Sequence, residues 1–218
     1  MDIQTSLEKL EVLVHKIISL HEQLSCEWID FCRNNDIVLF NQKKEKVAHI
    51  EKYPEIMDSI RAYVEYLNER GFVNTFEYAE EGFTVTSRVK NVNSINEKYE
   101  EYCNFRDEKG EVQINKCFND LFGIRVIIDC GELDFDDISN RFGNRGFVIE
   151  EKNERHTTLG HSYIATHIYF KYENEEYKNK TFRWELQIWK SQNETSNQDS
   201  HKNHRYRYKE WESELSSE

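Results

Sequence analysis

A chain of 218 residues, 38% hydrophobic and 32% charged, is long enough for one well-buried domain with helical additions and too short for two full ones. Its net charge of -12 argues against a bulk surface that binds nucleic acid, because phosphate binding requires clustered lysines and arginines. Five scattered cysteines without a CxxC spacing suggest neither a disulfide framework nor a zinc site, and no basic leader or membrane-length apolar run occurs. A soluble, cytoplasmic protein with buried thiols and no membrane partner is expected.

Ile3, Leu7, Leu10, Val14, Ile17, Leu24, Trp28 and Phe31 recur with helical spacing, interrupted by His21, and predict one long amphipathic helix packed on its own domain or on a partner. A second helix is expected from Pro54 to the stop signal at Gly71. Residues 76–90 then alternate as a strand, entered by a turn or hairpin at Glu80-Glu81-Gly82. A helix follows from Ser94 to about Phe105, and a charged turn at 107–110. Leu121–Cys130 is the most apolar run and reads as the central strand. Asp134–Phe142 reads as a short helix, and Gly143 and Gly146 bracket a turn into Phe147-Val148-Ile149. Tyr163–Tyr172 and Phe182–Trp189 are two further strands around a polar hairpin loop, and 197–215 forms a last, polar helix.

The fold class is therefore α+β (mixed α/β), one mixed sheet of about five strands flanked by helices, with helices at both ends. The expected division is a helical extension at 1–50, a domain at 51–195 and a terminal helix at 196–218. In WELQIW, alternation places Trp184, Leu186 and Ile188 on a core face, and Glu185, Gln187 and Trp189 on a face that is either solvent or a site.

Four segments carry polar residues where strands should pack apolar ones: Arg88, Lys90, Ser94 and Lys98; Asp120 with Arg125; Tyr163 with His167; and Glu185 with Gln187. Singly, each has a plain explanation as a solvated edge, a cap, a satisfied histidine or an exposed strand face. Together, two carboxylates, Asp120 and Glu185, suit a magnesium ion shared with substrate phosphates. The cations Arg88, Lys90, Lys98 and Arg125 suit polyphosphate charge. Phosphoryl or pyrophosphoryl transfer is the chemistry that such a set serves.

SRVKNVNSINEKY, NDLFGIRVI, GHSYIATHIYF and WELQIW, in that order, resemble the synthetase domain of the RelA/SpoT family, whose pattern is R-x-K, S-I-x-x-K, D-x-x-G-I-R-V, G-Y-x-(A/S)-x-H and E-x-Q-I-R. The resemblance spans 76–205 and implies a nucleotidyltransferase-like mixed sheet and pyrophosphate transfer from ATP to a ribose 3′-hydroxyl. It implies Arg88, Lys90, Ser94, Lys98 and Arg125 for ATP. Asp120 and Glu185 correspond to the catalytic, Mg2+-binding carboxylates, and Tyr163, His167 and Gln187 to the acceptor site.

The departures cluster on the acceptor side. Leu159-Gly160-His161-Ser162 stands where the family has a lysine and Asn-Gly, Ile164 follows the tyrosine, and Trp189 replaces the final arginine. Lys152, Arg155 and His156 lie upstream as cations without an aligned role. The expected acceptor is GDP or GTP, giving (p)ppGpp-type alarmones. An alternative acceptor is the tRNA 3′ end, as in toxic members of the family; the basic stretch from His201 to Lys209 and the altered acceptor side favour it. A third possibility is a silent nucleotide-binding module. An antitoxin or a homo-oligomer would be the protein partner.

Overall fold

The computed structural model describes residues 3–70, 83–105, 109–129, 148–150 and 163–199. The helical spacing noted above produces α1, Ile3–Asn34. Leu7, Leu10, Val14, Ile17, Leu24 and Trp28 are buried along one face. His21 fills the gap in that stripe: its Nε2–H donates to Phe182 O at 3.1 Å, and its ring meets Trp184 edge-on at 5.2 Å. The stripe is thus spent on the protein's own core, which α1 shares with the sheet. A short turn of helix, α2 (His49–Lys52), leads to α3 (Glu55–Glu69), which begins after Pro54 as expected.

Strand β1 (Phe83–Val89) is followed by α4 (Val92–Glu100), which ends in a π-type turn at Glu101–Phe105. The helix starts before Ser94 because Asn91 caps it, its Oδ1 accepting the Ser94 N–H at 2.7 Å. After α5 (Ile114–Cys117) come β2 (Phe122–Ile128), β3 (Val148–Glu150), β4 (Thr166–Phe170) and β5 (Trp184–Lys190). The five form one mixed sheet in the order β1-β2-β5-β4-β3, in which only β2 and β5 run parallel. The architecture is α+β.

Leu121–Cys130 is not the central strand; β5 is, and β2 lies beside it. A long apolar run marks burial and not position in the sheet: β2 and β5 each pair on both edges, and it is β5 that is buried on its polar face as well as its apolar one. Strand β4 is shorter than Tyr163–Tyr172 because Asn197 replaces a neighbouring strand at Ile164. Its Oδ1 accepts the Ile164 N–H and its Nδ2 donates to Ile164 O, each at 2.9 Å. Cys32 and Cys117 are buried thiols, but Cys26 is exposed and Cys103 only half-buried. No helix among the described residues is long and apolar enough to cross a membrane.

Register assigns the two faces. Phe122, Trp184 and Phe170 pair across one side, as do Ile124, Leu186 and Ile168. α1 and α3 cover this side: Tyr63 stacks on Phe182 at 4.5 Å and accepts the Trp184 indole N–H at 2.9 Å. On the opposite side the rows read Arg88, Gly123, Glu185, Tyr169 and Thr86, Arg125, Gln187, His167. The turn at Glu80–Gly82, the helix at Asp134–Phe142, the stretch Lys152–Ser162, the basic stretch His201–Lys209 and all but the start of the terminal helix lie outside the described residues.

Candidate active site

The polar rows of the sheet carry the candidate site, and the face is not solvent. Glu185 and Gln187 are each 5% exposed, and Trp189 is fully buried. An ionised carboxylate there needs compensation, and Glu185 receives it from three side chains. His167 Nδ1–H donates to Oε1 at 2.8 Å, the Tyr169 hydroxyl to the same oxygen at 3.0 Å, and Gln187 Nε2 to Oε2 at 2.9 Å. Burial pushes the Glu185 carboxyl up, but the hydrogen bond and charge of His167 outweigh it and hold the group below the usual carboxylate range.

Tyr163 lies beyond β4, its hydroxyl 3.0 Å from His167 Nε2, so both nitrogens of His167 are engaged by protein groups. Burial pushes the Tyr163 phenol up, which keeps it protonated at neutral pH. The Asn197 clamp on Ile164 sets the segment that carries this tyrosine.

A second cluster forms where β1 ends and β2 begins. Lys90 N–H donates to Leu121 O at 2.8 Å, which brings the Lys90 side chain alongside the 118–120 turn. Lys90 Nζ then reaches Asp120 Oδ2 at 2.7 Å, and Lys98 Nζ, from α4, reaches Oδ1 at 3.0 Å. Burial pushes Asp120 up, but the charges of Lys98 and Lys90 hold its carboxyl well below the usual range. Lys90 is lowered by burial and by the like charge of Lys98. Two lysines against one carboxylate leave a positive excess suited to an anion. Ser94 stands one turn before Lys98 on the same face of α4.

Arg88 lies between the clusters. Its Nε would be 3.5 Å from a Cβ at Gly123, and Glu185 Oε2 would be 3.9 Å from the same point. The missing side chain of Gly123 thus leaves a slot beside the cation and the carboxylate. The charge of Arg88 acts on Lys90, Arg125, Tyr163 and Glu185.

Arg125 is placed differently from the other residues expected on the ATP side. Its Nε and Nη2 donate to Gln187 Oε1 at 3.3 and 3.1 Å, and its guanidinium lies 3.6 Å over the Trp189 ring. It therefore joins the Glu185 network rather than the Asp120 cluster. Burial, then the charge of Arg88, lowers its pKa to about 10, so it remains a cation at neutral pH.

Asp120 and Glu185 are close enough that the charge of Asp120 acts on Glu185. Two hard carboxylates fit magnesium's preference for one or two such ligands together with phosphate oxygens and water. Among the described residues no group of three or more His, Cys, Asp or Glu side chains is assembled around a metal position. Phosphate oxygens and water would have to supply the remaining ligands.

Tyr169 and Asn197 were not singled out by sequence. Tyr169 did carry a signal, since it lies two residues from His167 and must share its face; Asn197 carried none.

No protein-family model and no curated protein matches the sequence. Similar solved structures include small alarmone synthetase 1 from Bacillus subtilis, 19% identical, with a TM-score of 0.40 over 72% of this chain and 82% of that one. A GTP pyrophosphokinase family protein from Streptococcus pneumoniae is 15% identical, with a TM-score of 0.40 over 73% and 77%. Small alarmone synthetase 2 from Bacillus subtilis is 15% identical, with a TM-score of 0.38 over 71% and 80%. Likeness at this level decides neither chemistry nor substrate, which must come from this chain's own residues.

Proposed function

We propose that the chain is a magnesium-dependent pyrophosphokinase that transfers the β,γ-diphosphate of ATP to the 3′-hydroxyl of GDP or GTP, making (p)ppGpp-type alarmones. The observation that carries it is Glu185, an ionised carboxylate oriented by three donors on a buried face, with the Asp120–Lys90–Lys98 cluster nearby. The ordered RelA/SpoT-like motifs support the same chemistry.

A ribose hydroxyl is a weak nucleophile at neutral pH, and Glu185 accepts its proton as the new bond forms to the β-phosphorus. The bond from that phosphorus to the α-phosphate bridging oxygen breaks, and AMP leaves. Arg88, Lys90 and Lys98 meet the triphosphate charge, the two lysines exchanging Asp120 for phosphate oxygens. Asp120 and Glu185 are the residues that would hold magnesium, which would supply neutralisation of the phosphate charge. Tyr163 offers its ring to the acceptor base, while His167 acts through Glu185 and Tyr163.

A second reading keeps the chemistry and makes the 3′-CCA end of tRNA the acceptor, with an antitoxin as the expected protein partner. Trp189 favours it, since an indole in place of the family's arginine leaves one cation fewer for a free nucleotide's 5′-phosphates. Incubation with β- or γ-labelled ATP, magnesium and, separately, GDP, GTP, AMP, ADP or deacylated tRNA tests both. Label in GDP or GTP is expected; label in tRNA alone selects the second reading, and label only in orthophosphate contradicts both.

A further inference from the structure

Trp189 is fully buried, so it cannot serve as a surface for substrate, yet it touches two residues of the candidate site. The Arg125 guanidinium carbon lies 3.6 Å from the centre of its ring, and the Tyr163 ring meets it edge-on at 6.1 Å. The β2–β5 register explains the first contact. Arg125 pairs with Gln187, and Trp189 lies two residues further along the same face, within reach of a long side chain. Indole is the strongest of the aromatic partners for a cation, and the attraction grows when water is excluded.

The guanidinium over the indole also turns to Gln187, where Nε and Nη2 both donate to Oε1. A carboxamide has one accepting and one donating end. With Oε1 held by Arg125, the Nε2 end is directed at Glu185 Oε2, 2.9 Å away. The reversed amide would set an oxygen against a carboxylate and an N–H against a guanidinium. We propose that Trp189 is a positioning residue, whose indole holds Arg125 flat so that Arg125 orients the Gln187 amide that seats Glu185. The substitution of indole for the family's arginine then has a constructive role: it supplies the platform on which the neighbouring cation rests.

The effect on turnover rests on the proposed function, but the contact itself is testable without it. In 15N-labelled protein the Arg125 Nε–H resonance, assigned by its loss in Arg125→Lys, is expected to be shifted upfield by the indole and slow to exchange with water. Trp189→Phe should keep a weaker shift. Trp189→Leu should abolish it and move the Gln187 side-chain amide resonances. In the transfer assay Trp189→Leu should lower kcat about tenfold with KM for ATP changed by less than about twofold, and Trp189→Phe should recover most of the loss. An Arg125 signal in the wild-type protein that exchanges like an exposed arginine overturns the inference, as does unchanged kcat in folded Trp189→Leu. If that variant does not fold, the wild-type and Trp189→Phe spectra still decide. If no acceptor is modified by the wild type, the function proposal falls while the spectra continue to test the contact.

Discussion

At the β1 end of the polar face Asp120 is gripped by two ammonium groups at 2.7 and 3.0 Å, whereas at its centre Glu185 is held by an imidazole, a phenol and an amide at 2.8 to 3.0 Å. The first arrangement uses long, flexible side chains from separate elements, and its bonds are exchangeable for bonds to another anion. The second uses shorter side chains on adjacent strands, locked by register and burial. One end is built to trade charge, the other to keep a geometry. A transfer reaction on polyphosphate needs both, since its catalysis is positioning together with charge neutralisation.

The strongest way to break this division is Glu185→Gln. Turnover should fall by at least about 10³-fold, while ATP affinity in calorimetry stays near that of the wild type. A parallel loss of ATP binding would show that the two ends are not separate in role.

Asp120→Asn attacks the other end. It leaves two largely buried ammonium groups without their carboxylate, and chemical unfolding should show a loss of about 3 kcal/mol. The pH dependence should change as well. The folded-state pKa of Asp120 is depressed, so its stabilisation is present above the ordinary carboxylate value near 4 and is lost as pH falls through and below it. Unfolding free energy measured from pH 6 to pH 3 should decline less steeply in the variant; identical slopes would mean that the lysine contacts contribute nothing.

His21 provides a control on the apolar side. Burial, only partly offset by its bond to Phe182 O, lowers its pKa to about 4. The unfolded chain therefore takes up a proton first as pH falls below the ordinary histidine value, and stability declines. Between pH 7 and pH 5 the loss should be about 2 kcal/mol and should vanish in His21→Gln. Turnover per folded molecule should not follow that loss; if it does, the two faces are not independent.

The smallest effect is expected for Tyr169→Phe, which removes one of the two donors on Glu185 Oε1. A cost of about 1 kcal/mol to the carboxylate's placement predicts a kcat lowered by less than about tenfold, with ATP affinity unchanged. A loss as large as that of Glu185→Gln would give the phenol a direct part in the chemistry.

How much of this was visible beforehand depended on whether a residue's neighbours lay along the chain or across it. The α1 stripe and the alternation of WELQIW are local periodicities, and both elements formed where the pattern placed them. The Asp120 and Glu185 clusters were approachable because charged and polar residues stood out among apolar strand residues. The central position of β5 was not visible, because hydrophobicity reports burial and not the order in which strands lie side by side. Arg125 was expected with the lysines, since charge alone groups cations; register instead paired it with Gln187 and laid it on Trp189. Asn197 was beyond reach, since a polar residue in a polar segment gives no sign that both ends of its amide will hold Ile164 from 33 residues away.

The central claim is that Glu185 removes a proton from a hydroxyl while the Lys90–Lys98–Asp120 end holds the departing charge. The most direct test compares the wild type and Glu185→Gln with β-labelled ATP, magnesium and GDP, measuring AMP release and label on the guanosine nucleotide together. The account predicts equal amounts of both for the wild type and neither for the variant. Label transfer by Glu185→Gln at the wild-type rate would contradict it.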